Sequence, residues 1–585
     1  MELPRSNNGR PLSRRELLAY AGLLGAGAAA SNPIAAWAAG PGPTRLVQRA
    51  AMTRAAGSDL EAIEHVVFLM MENRSYDHYF GAYRKGRGFN DHPKHSLGVF
   101  AQDYPGGGDL FPANKLLPFH LDSSAGFECT DDLTHDWGPM HLCWNHGKMD
   151  SWVKTHTSSK YEGEHGAMTM GYYDRADLPF YYALADHFTL LDSYHCSILG
   201  PTHPNRLMAN SGTIDPDGTH GGPVTDTNAT PDALWTCTWP TMQEVLEDAG
   251  VPWKVYSPTN LGLSSKYSEL AKYLSWDPLL YSPYGSPIML CDHVLQYFTE
   301  FRDPLSPLYR KAFGQTFPND FVADIAGDNL PSVSWLIPPL GFDEHPSVAP
   351  TNGMYFTSLV LDALVANPKV WAKTALFLMY DENDGWFDHV PPPTAPLGTP
   401  GEYLTATPPT LMDPSPGTLG IKGPLGLGVR VPALMISPFS RGGHINSHLF
   451  DHTSQLKLVA ERFGVEVPNV SHWRRNLVGD LTSTLFGTSA DISLPALPKP
   501  VVDLPNDGPC EALDQYTESG GAHPSVPTHQ TMPRQGGGTT PASHYYKLTK
   551  AARSIPDGHR TVIKTGGPQT VTTKSAANRI AIKKA

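Results

Sequence analysis

The run Ala375-Leu376-Phe377-Leu378-Met379-Tyr380 is apolar on both sides of a two-residue repeat and breaks abruptly into Asp381-Glu382-Asn383-Asp384. So short a run, with neither face polar, reads as a strand covered on both sides, as in a parallel sheet sandwiched by helices. The pattern recurs in Val66-Val67-Phe68-Leu69, Thr189-Leu190-Leu191, Trp253-Lys254-Val255-Tyr256, Ser332 to Ile337 and Val431 to Ile436. Between the runs lie segments with helical spacing: Met242 to Ala249, stopped by Gly250; Tyr355 to Val365; and Ser454 to Phe463, stopped by Gly464. The alternation predicts an α/β fold, a three-layer α/β/α sandwich with a largely parallel central sheet.

Three stretches interrupt the alternation: about Lys85 to Met170, Ser257 to Asn319 and Pro391 to Gly426, each rich in Gly, Pro, aromatic and His residues. They read as loop-rich insertions over the crevice at the strand ends, where specificity resides in such folds. The 54 Gly and 55 Pro of the chain, without a collagen-like period, require many long loops. The chain divides into a leader over 1–38, a catalytic domain over 60–495, and a tail over 496–585. The tail reads as a linker followed by a basic segment or small appendage. A net charge of -13 excludes bulk nucleic-acid binding, which needs a basic face.

The leader carries Ser13-Arg14-Arg15-Glu16-Leu17-Leu18, a Gly/Ala-rich apolar stretch from Ala19 to Ala30, and a small-residue site at Ala36-Trp37-Ala38. That order is a twin-arginine signal peptide, so the expected partner is the twin-arginine export machinery and the expected location secreted or periplasmic. Six cysteines are few for this length, and Cys129 with Cys143 closes the shortest loop, the first pairing to expect.

Two of the buried strands end in acids, Glu72-Asn73 and Asp381-Glu382. Hard oxygen donors converging from separate strand ends suit one or more divalent metal ions. A third element, Gly200-Pro201-Thr202-His203-Pro204-Asn205-Arg206, has the form of a tight turn opening a helix. Thr202 would sit at a helix N-terminus, and Arg206, one turn on, could pair with a phosphate or sulfate. His135, His345 and His389, each among acids and turn residues, are the acid–base candidates. Asp77 and His78, past the first pair of acids, are read as structural, in a helix capped by Asn73 or Ser75.

With those residues in place, the chain resembles the bacterial phospholipase C and acid phosphatase family of phosphoesterases, within the alkaline-phosphatase-like superfamily. The matching stretches are Ile63 to Gly81, Leu133 to Trp137, Gly200 to Arg206, Glu344-His345-Pro346, Tyr380 to Pro393 and Val431 to Gly443. The resemblance implies a metal held by Glu72, Asn73, Asp381 and Glu382, a nucleophile at Thr202, and active-site histidines at His135 and His345. Asn205 and Arg206 are candidates for substrate phosphate. The phospholipase C branch is similar to this chain in carrying Thr at the nucleophile position, where the acid phosphatase branch carries Ser. Thr also speaks against sulfate-ester hydrolysis, which in this superfamily needs Cys or Ser there. The implied activity is hydrolysis of the glycerol-side phosphodiester of phospholipids such as phosphatidylcholine, through a phosphothreonine. The alternatives are an acid phosphatase acting on phosphomonoesters and a non-catalytic secreted binding protein. Substrates would be phospholipids or small phosphate esters, with transient contact at a membrane surface.

Overall fold

Eight strands make the central sheet of the computed structural model: β1 (His65–Met71), β2 (Thr189–Leu191), β3 (Trp253–Ser257), β4 (Gln315–Thr316), β5 (Val333–Leu336), β6 (Thr374–Tyr380), β7 (Ala433–Ile436) and β8 (Ile445–Asn446). Their order across the sheet is β8-β2-β7-β6-β1-β5-β3-β4. All neighbours are parallel except where β7 runs antiparallel to β6 and to β2. The structure describes residues 60–92, 96–105, 107–128, 130–157, 166–227, 234–257, 293–338, 342–346, 348–406, 423–485, 498, 500 and 526–537, and the backbone of 559–563 and 571–575. The leader with Arg14 and Arg15 lies outside them.

The two longest strands, β1 and β6, pair in register from His65 with Thr374 to Met71 with Tyr380. Every residue of β6 is buried, as the unbroken apolar run requires. The pleat sends alternate side chains to opposite layers. Phe68, Met70 and Met379 line one cavity with Arg206 and Ala209 of α4 (Thr202–Ser211) and Gln455 of α7 (Thr453–Phe463). Tyr380, one residue on, turns to the other face, where its hydroxyl joins those of Tyr79 on α1 (Tyr76–Phe80) and Tyr181 on α3 (Pro179–His187) at the Glu344 carboxylate. α6 (Pro350–Ala366) lies on that face too, with Thr357 Oγ1 3.4 Å from the Tyr181 hydroxyl. Helices on both faces of a mostly parallel sheet make the expected α/β/α sandwich. Two of the remaining helices are α2 (Trp137–Trp144), inside the first insertion, and α5 (Met242–Asp248), which precedes β3.

The ends of the helices follow local chemistry. Thr241 and Glu244 close a capping box at the start of α5. Gly464 terminates α7 with φ 71°, a conformation open to glycine without a steric penalty.

Two expectations change. Cys143, on α2, is a free thiol buried in the core, its pKa pushed up to about 12 by burial; Cys129, its expected partner, lies outside the described residues. Loop length alone suggested that pair, but α2 points Cys143 into apolar packing, where a thiol behaves as a small hydrophobe. Residues 526–537, inside the expected linker, are built into the domain: Gln530 bonds the backbone of Leu117 and Lys115, and Gln535 bonds the carbonyls of Tyr83, Lys85 and Gly86. A polar, Gly-containing segment can dock in this way because amide side chains satisfy loop backbone that no strand pairs. Further along, His559–Ile563 and Val571–Ser575 form an antiparallel pair.

Candidate active site

Because β1 and β6 are parallel and in register, their carboxyl ends present Glu72-Asn73 and Asp381-Glu382 side by side. The backbone locks them together: Asp381 N donates to Met71 O at 3.1 Å, and Arg74 N to Glu382 O at 3.0 Å. Asn73 takes φ 59°, a left-handed conformation that Asn tolerates better than most residues, and this turns its N–H onto Asp381 Oδ1 at 3.2 Å. Glu382 N donates to the same oxygen at 2.7 Å, and Asp384 N donates to Glu382 Oε2 at 2.5 Å.

All four residues are buried, yet Asn73 Oδ1 and Glu382 Oε1 have no hydrogen-bond partner. Orphaned buried oxygens cost roughly 1–3 kcal/mol each, more for a charged group. Burial pushes Glu382 well above the usual carboxylate range; the His135 charge opposes this and those of Asp381 and Asp384 add to it. Three carboxylates and an amide, two of them with an oxygen that has no hydrogen-bond partner, fit a hard divalent cation. Glu72, Asn73, Asp381 and Glu382 are the residues that would hold it.

Thr202 is the first residue of α4, buried, directly after the Gly200-Pro201 turn. Arg206 lies one turn further on the same helical face. Its Nε donates to Asp381 Oδ2 at 2.9 Å and its Nη2 to Glu72 Oε1 at 3.2 Å. Arg206 thus pins the face of α4 that carries Thr202 to both strand ends. The sequence suggested a phosphate contact for it; in the fold its guanidinium is engaged with two carboxylates. Asn205 differs more from expectation. Its Oδ1 accepts from the backbone N–H of Ser197 and Ile198, both at 2.9 Å, and its Nδ2 donates to the carbonyls of Gly200 and Pro201 at 2.9 and 3.0 Å. With both ends of the amide given to backbone, Asn205 shapes the turn rather than the crevice.

His135 and His345 converge, their ring centres 6.5 Å apart and their planes at 72°. His135 places Nδ1 2.6 Å from Leu133 O and 3.0 Å from Asp384 Oδ1, and Nε2 3.5 Å from Glu382 Oε1. Burial would lower its pKa, but the Glu382 charge and the bond to Asp384 outweigh that and hold it well above the ordinary histidine value. Ligand atoms of Asp132, His135 and Asp384 lie within 4.8 Å of one another, a second grouping able to take a cation. His345 turns Nδ1 to Pro346 O at 2.6 Å, and its N–H donates to Asp343 Oδ1 at 3.0 Å. Its loop is tied to the end of β1 by Glu72 N, which donates to Asp343 O, and by Arg74, which donates to the carbonyls of Glu344 and Val348.

His389, the third acid–base candidate, is elsewhere. Its Nδ1 lies 2.6 Å from Asp77 Oδ2 and its Nε2 3.2 Å from Asp91 Oδ2. Beside it, Arg430 donates to both oxygens of Asp388, at 3.0 and 2.9 Å, and to Asp77 Oδ1 at 3.0 Å. Asp77 and His78, read from the sequence as structural, are both buried in this network. His78 stacks on Trp386 at 3.8 Å, and Ser75 caps α1 by accepting from His78 N.

Sequence reasoning overlooked Asp384 and Arg74. Asp384 receives Asn73 Nδ2 at 3.4 Å and Leu133 N at 3.2 Å, and so joins the metal-side turn to the His135 loop. The signal for it was its place in the same acidic run as Asp381 and Glu382.

A threonine opening a helix whose next turn is tied by Arg206 to paired acidic strand ends, with two histidines converging beside Glu382, fits a phosphate-ester-cleaving enzyme. The chain belongs to the phosphoesterase family, whose profile matches residues 63–466. It is 42% identical over 537 residues to phospholipase C A of Mycobacterium tuberculosis, covering 90% of this chain and 96% of that one. It is 41% identical to phospholipase C B of the same organism, over 87% of this chain and 95% of that one. With the non-hemolytic phospholipase C of Pseudomonas aeruginosa it shares 37% identity, over 83% of this chain and 65% of that one. A solved structure in the alkaline phosphatase superfamily, from Vibrio parahaemolyticus, aligns with a TM-score of 0.27 at 10% identity, over 75% of this chain and 78% of that one.

Proposed function

We propose that the protein is a secreted, metal-dependent phosphoesterase of phospholipase C type, which cleaves the glycerol-side phosphodiester of a phospholipid such as phosphatidylcholine. The observation that carries the reading is the pair of orphaned oxygens, Asn73 Oδ1 and Glu382 Oε1, at strand ends to which Arg206 fastens the Thr202 helix. The phospholipase C names of the relatives support the choice of a diester.

The Thr202 hydroxyl gives up its proton to solvent and attacks phosphorus in line: a Thr Oγ–P bond forms, the P–O bond to glycerol breaks, and a phosphothreonine remains. His135, whose surroundings favour its protonated form, or His345 gives a proton to the departing oxygen, so that diacylglycerol leaves neutral. The other histidine takes a proton from water, which attacks the phosphothreonine and breaks the Thr Oγ–P bond; Thr202 Oγ is reprotonated, and both histidines regain their starting states by proton exchange with solvent. A bound divalent ion would lower the pKa of a hydroxyl and offset phosphate charge.

Each of the three insertions exposes a large apolar side chain: Phe111, Leu305 and Leu397. Such residues support transient contact with a lipid surface. Export by the twin-arginine route rests on Arg14-Arg15 and is supported by the free thiols Cys143, Cys196 and Cys237, which need no oxidation before folding.

The test is a side-by-side assay on phosphatidylcholine, sphingomyelin and a simple phosphomonoester, with wild type and Thr202→Ala. Release of the phosphorylated head group, lost in Thr202→Ala, is expected. Preference for the monoester would transfer the reading to an acid phosphatase, and near-normal turnover by Thr202→Ala would remove the nucleophile.

A further inference from the structure

Glu344 is fully buried, carries a carboxylate, and adopts φ 74°. A left-handed conformation is costly for a residue with a side chain and persists only where the surroundings over-determine it. Here they do. Its Oε2 accepts from the Tyr79 hydroxyl at 2.5 Å and the Tyr380 hydroxyl at 2.8 Å, and its Oε1 from the Tyr181 hydroxyl. Its carbonyl accepts from Arg74 Nε at 3.1 Å and Nη2 at 2.7 Å. On the remaining side stands Gly353 of α6, so close that a Cβ there would lie 1.8 Å from Glu344 Oε1. Side chain and backbone of one residue are therefore gripped by α1, α3, β6, α6 and the turn after β1.

The next residue is His345. Among the described residues the Glu344 carboxylate takes its hydrogen bonds from the three tyrosines, and the peptide it fixes sets the direction in which the His345 ring leaves the backbone, its centre 6.5 Å from that of His135. We propose that Glu344 is the positioning residue for His345: the three-tyrosine clamp on its carboxylate holds the left-handed turn that aims the imidazole across the crevice. The inference rests on His345 serving as an acid–base group of the phosphoesterase site.

Acid–base geometry is sensitive: a misplacement near 1 Å can cost about a hundredfold in rate. Glu344→Gln keeps the shape of the side chain but replaces one acceptor oxygen by a donor, so at least one tyrosine bond must reverse or break. The experiment is a double-mutant cycle with His345→Ala, read as kcat and KM separately. Glu344→Gln alone is expected to lower kcat about tenfold or more with KM within about twofold, and to change kcat by less than about twofold in the His345→Ala background. An equal loss in both backgrounds, or no loss beside intact His345, overturns the proposal. If His345→Ala itself keeps wild-type turnover, the role of His345 fails and the proposal falls with it; that outcome is distinct because it appears in the single variant. Should Glu344→Gln not fold, Tyr181→Phe removes one clamp donor and leaves the carboxylate. Its smaller loss of kcat must likewise vanish in the His345→Ala background, and a loss that persists there overturns the proposal.

Discussion

Two clusters of buried acids lie a few residues apart along the same two chain segments, and they have opposite electrostatic completions. Asp77, Asp388 and His389 bring their ligand atoms within 4.8 Å of one another, as a metal site would. The chain fills that cluster with its own cation: Arg430 bonds both carboxylates and the carbonyls of Arg87 and Asp192, over the face of Tyr76. At the strand ends, Arg206 reaches one oxygen of Glu72 and one of Asp381, Asn73 Oδ1 has no hydrogen-bond partner, and Glu382 Oε1 has only the longer 3.5 Å approach of His135 Nε2 among the described residues. The density of acids is alike in the two places. What separates a brace from a reaction centre is whether the protein completes its own charge balance.

The comparison breaks at several points if it is wrong. Exhaustive chelation is expected to cut turnover by about a thousandfold or more, restored by adding back a divalent ion, with elemental analysis following the loss; full activity in chelated protein would abolish the distinction between the clusters. Arg430→Met should leave metal content unchanged but destabilise the fold by about 3–5 kcal/mol, because two buried carboxylates lose their counter-ion; denaturant unfolding measures it.

The two clusters should also respond to pH in opposite senses. His452, whose Nε2 lies 2.6 Å from Asp381 O, has its pKa lowered to about 4 by burial. Below the unfolded value near 6.5 the unfolded chain binds the extra proton, so this stability is present above that pH and lost as pH falls toward 4. Burial alone would lower His389, but the charges and bonds of Asp77 and Asp91 raise it. Its contribution is complete below the unfolded value and lost as pH rises through the folded one. Melting temperatures across pH are expected to lose their acid-side slope in His452→Asn and their alkaline-side decline in His389→Asn; unchanged slopes would count against either assignment. The smallest effect belongs to Asp384→Asn, which weakens the hold on His135 and should lower kcat about tenfold without altering the Arg430 cluster, as kinetics and unfolding together would show.

Much of this was legible in the chain. The apolar runs at Val66 to Leu69 and Ala375 to Tyr380 demand burial on both faces, and burial on both faces leads to a parallel sheet. The acids follow those runs directly, so strand pairing brings them together. Helical spacing likewise put Arg206 under Thr202; which anion it would meet depended on how α4 docks on the sheet. Glu344 was opaque for a different reason: its clamp is assembled from Tyr79, Tyr181 and Tyr380, on elements far apart in sequence, and a tyrosine in a buried segment reads as core. Gln530 and Gln535 were missed because docking by amide side chains leaves no apolar periodicity.

The three buried thiols among the described residues have a practical use. Cys143 and Cys237 are pushed up to about 12, and Cys196 well above the usual thiol range, by burial. At neutral pH they offer an alkylating reagent almost no thiolate and no access. Cys143 sits on α2, Cys196 after β2 and Cys237 ahead of α5, so labelling resolved peptide by peptide would time the opening of three separate parts of the molecule. The native fold thus comes with an internal clock for its own unfolding, with no probe to engineer.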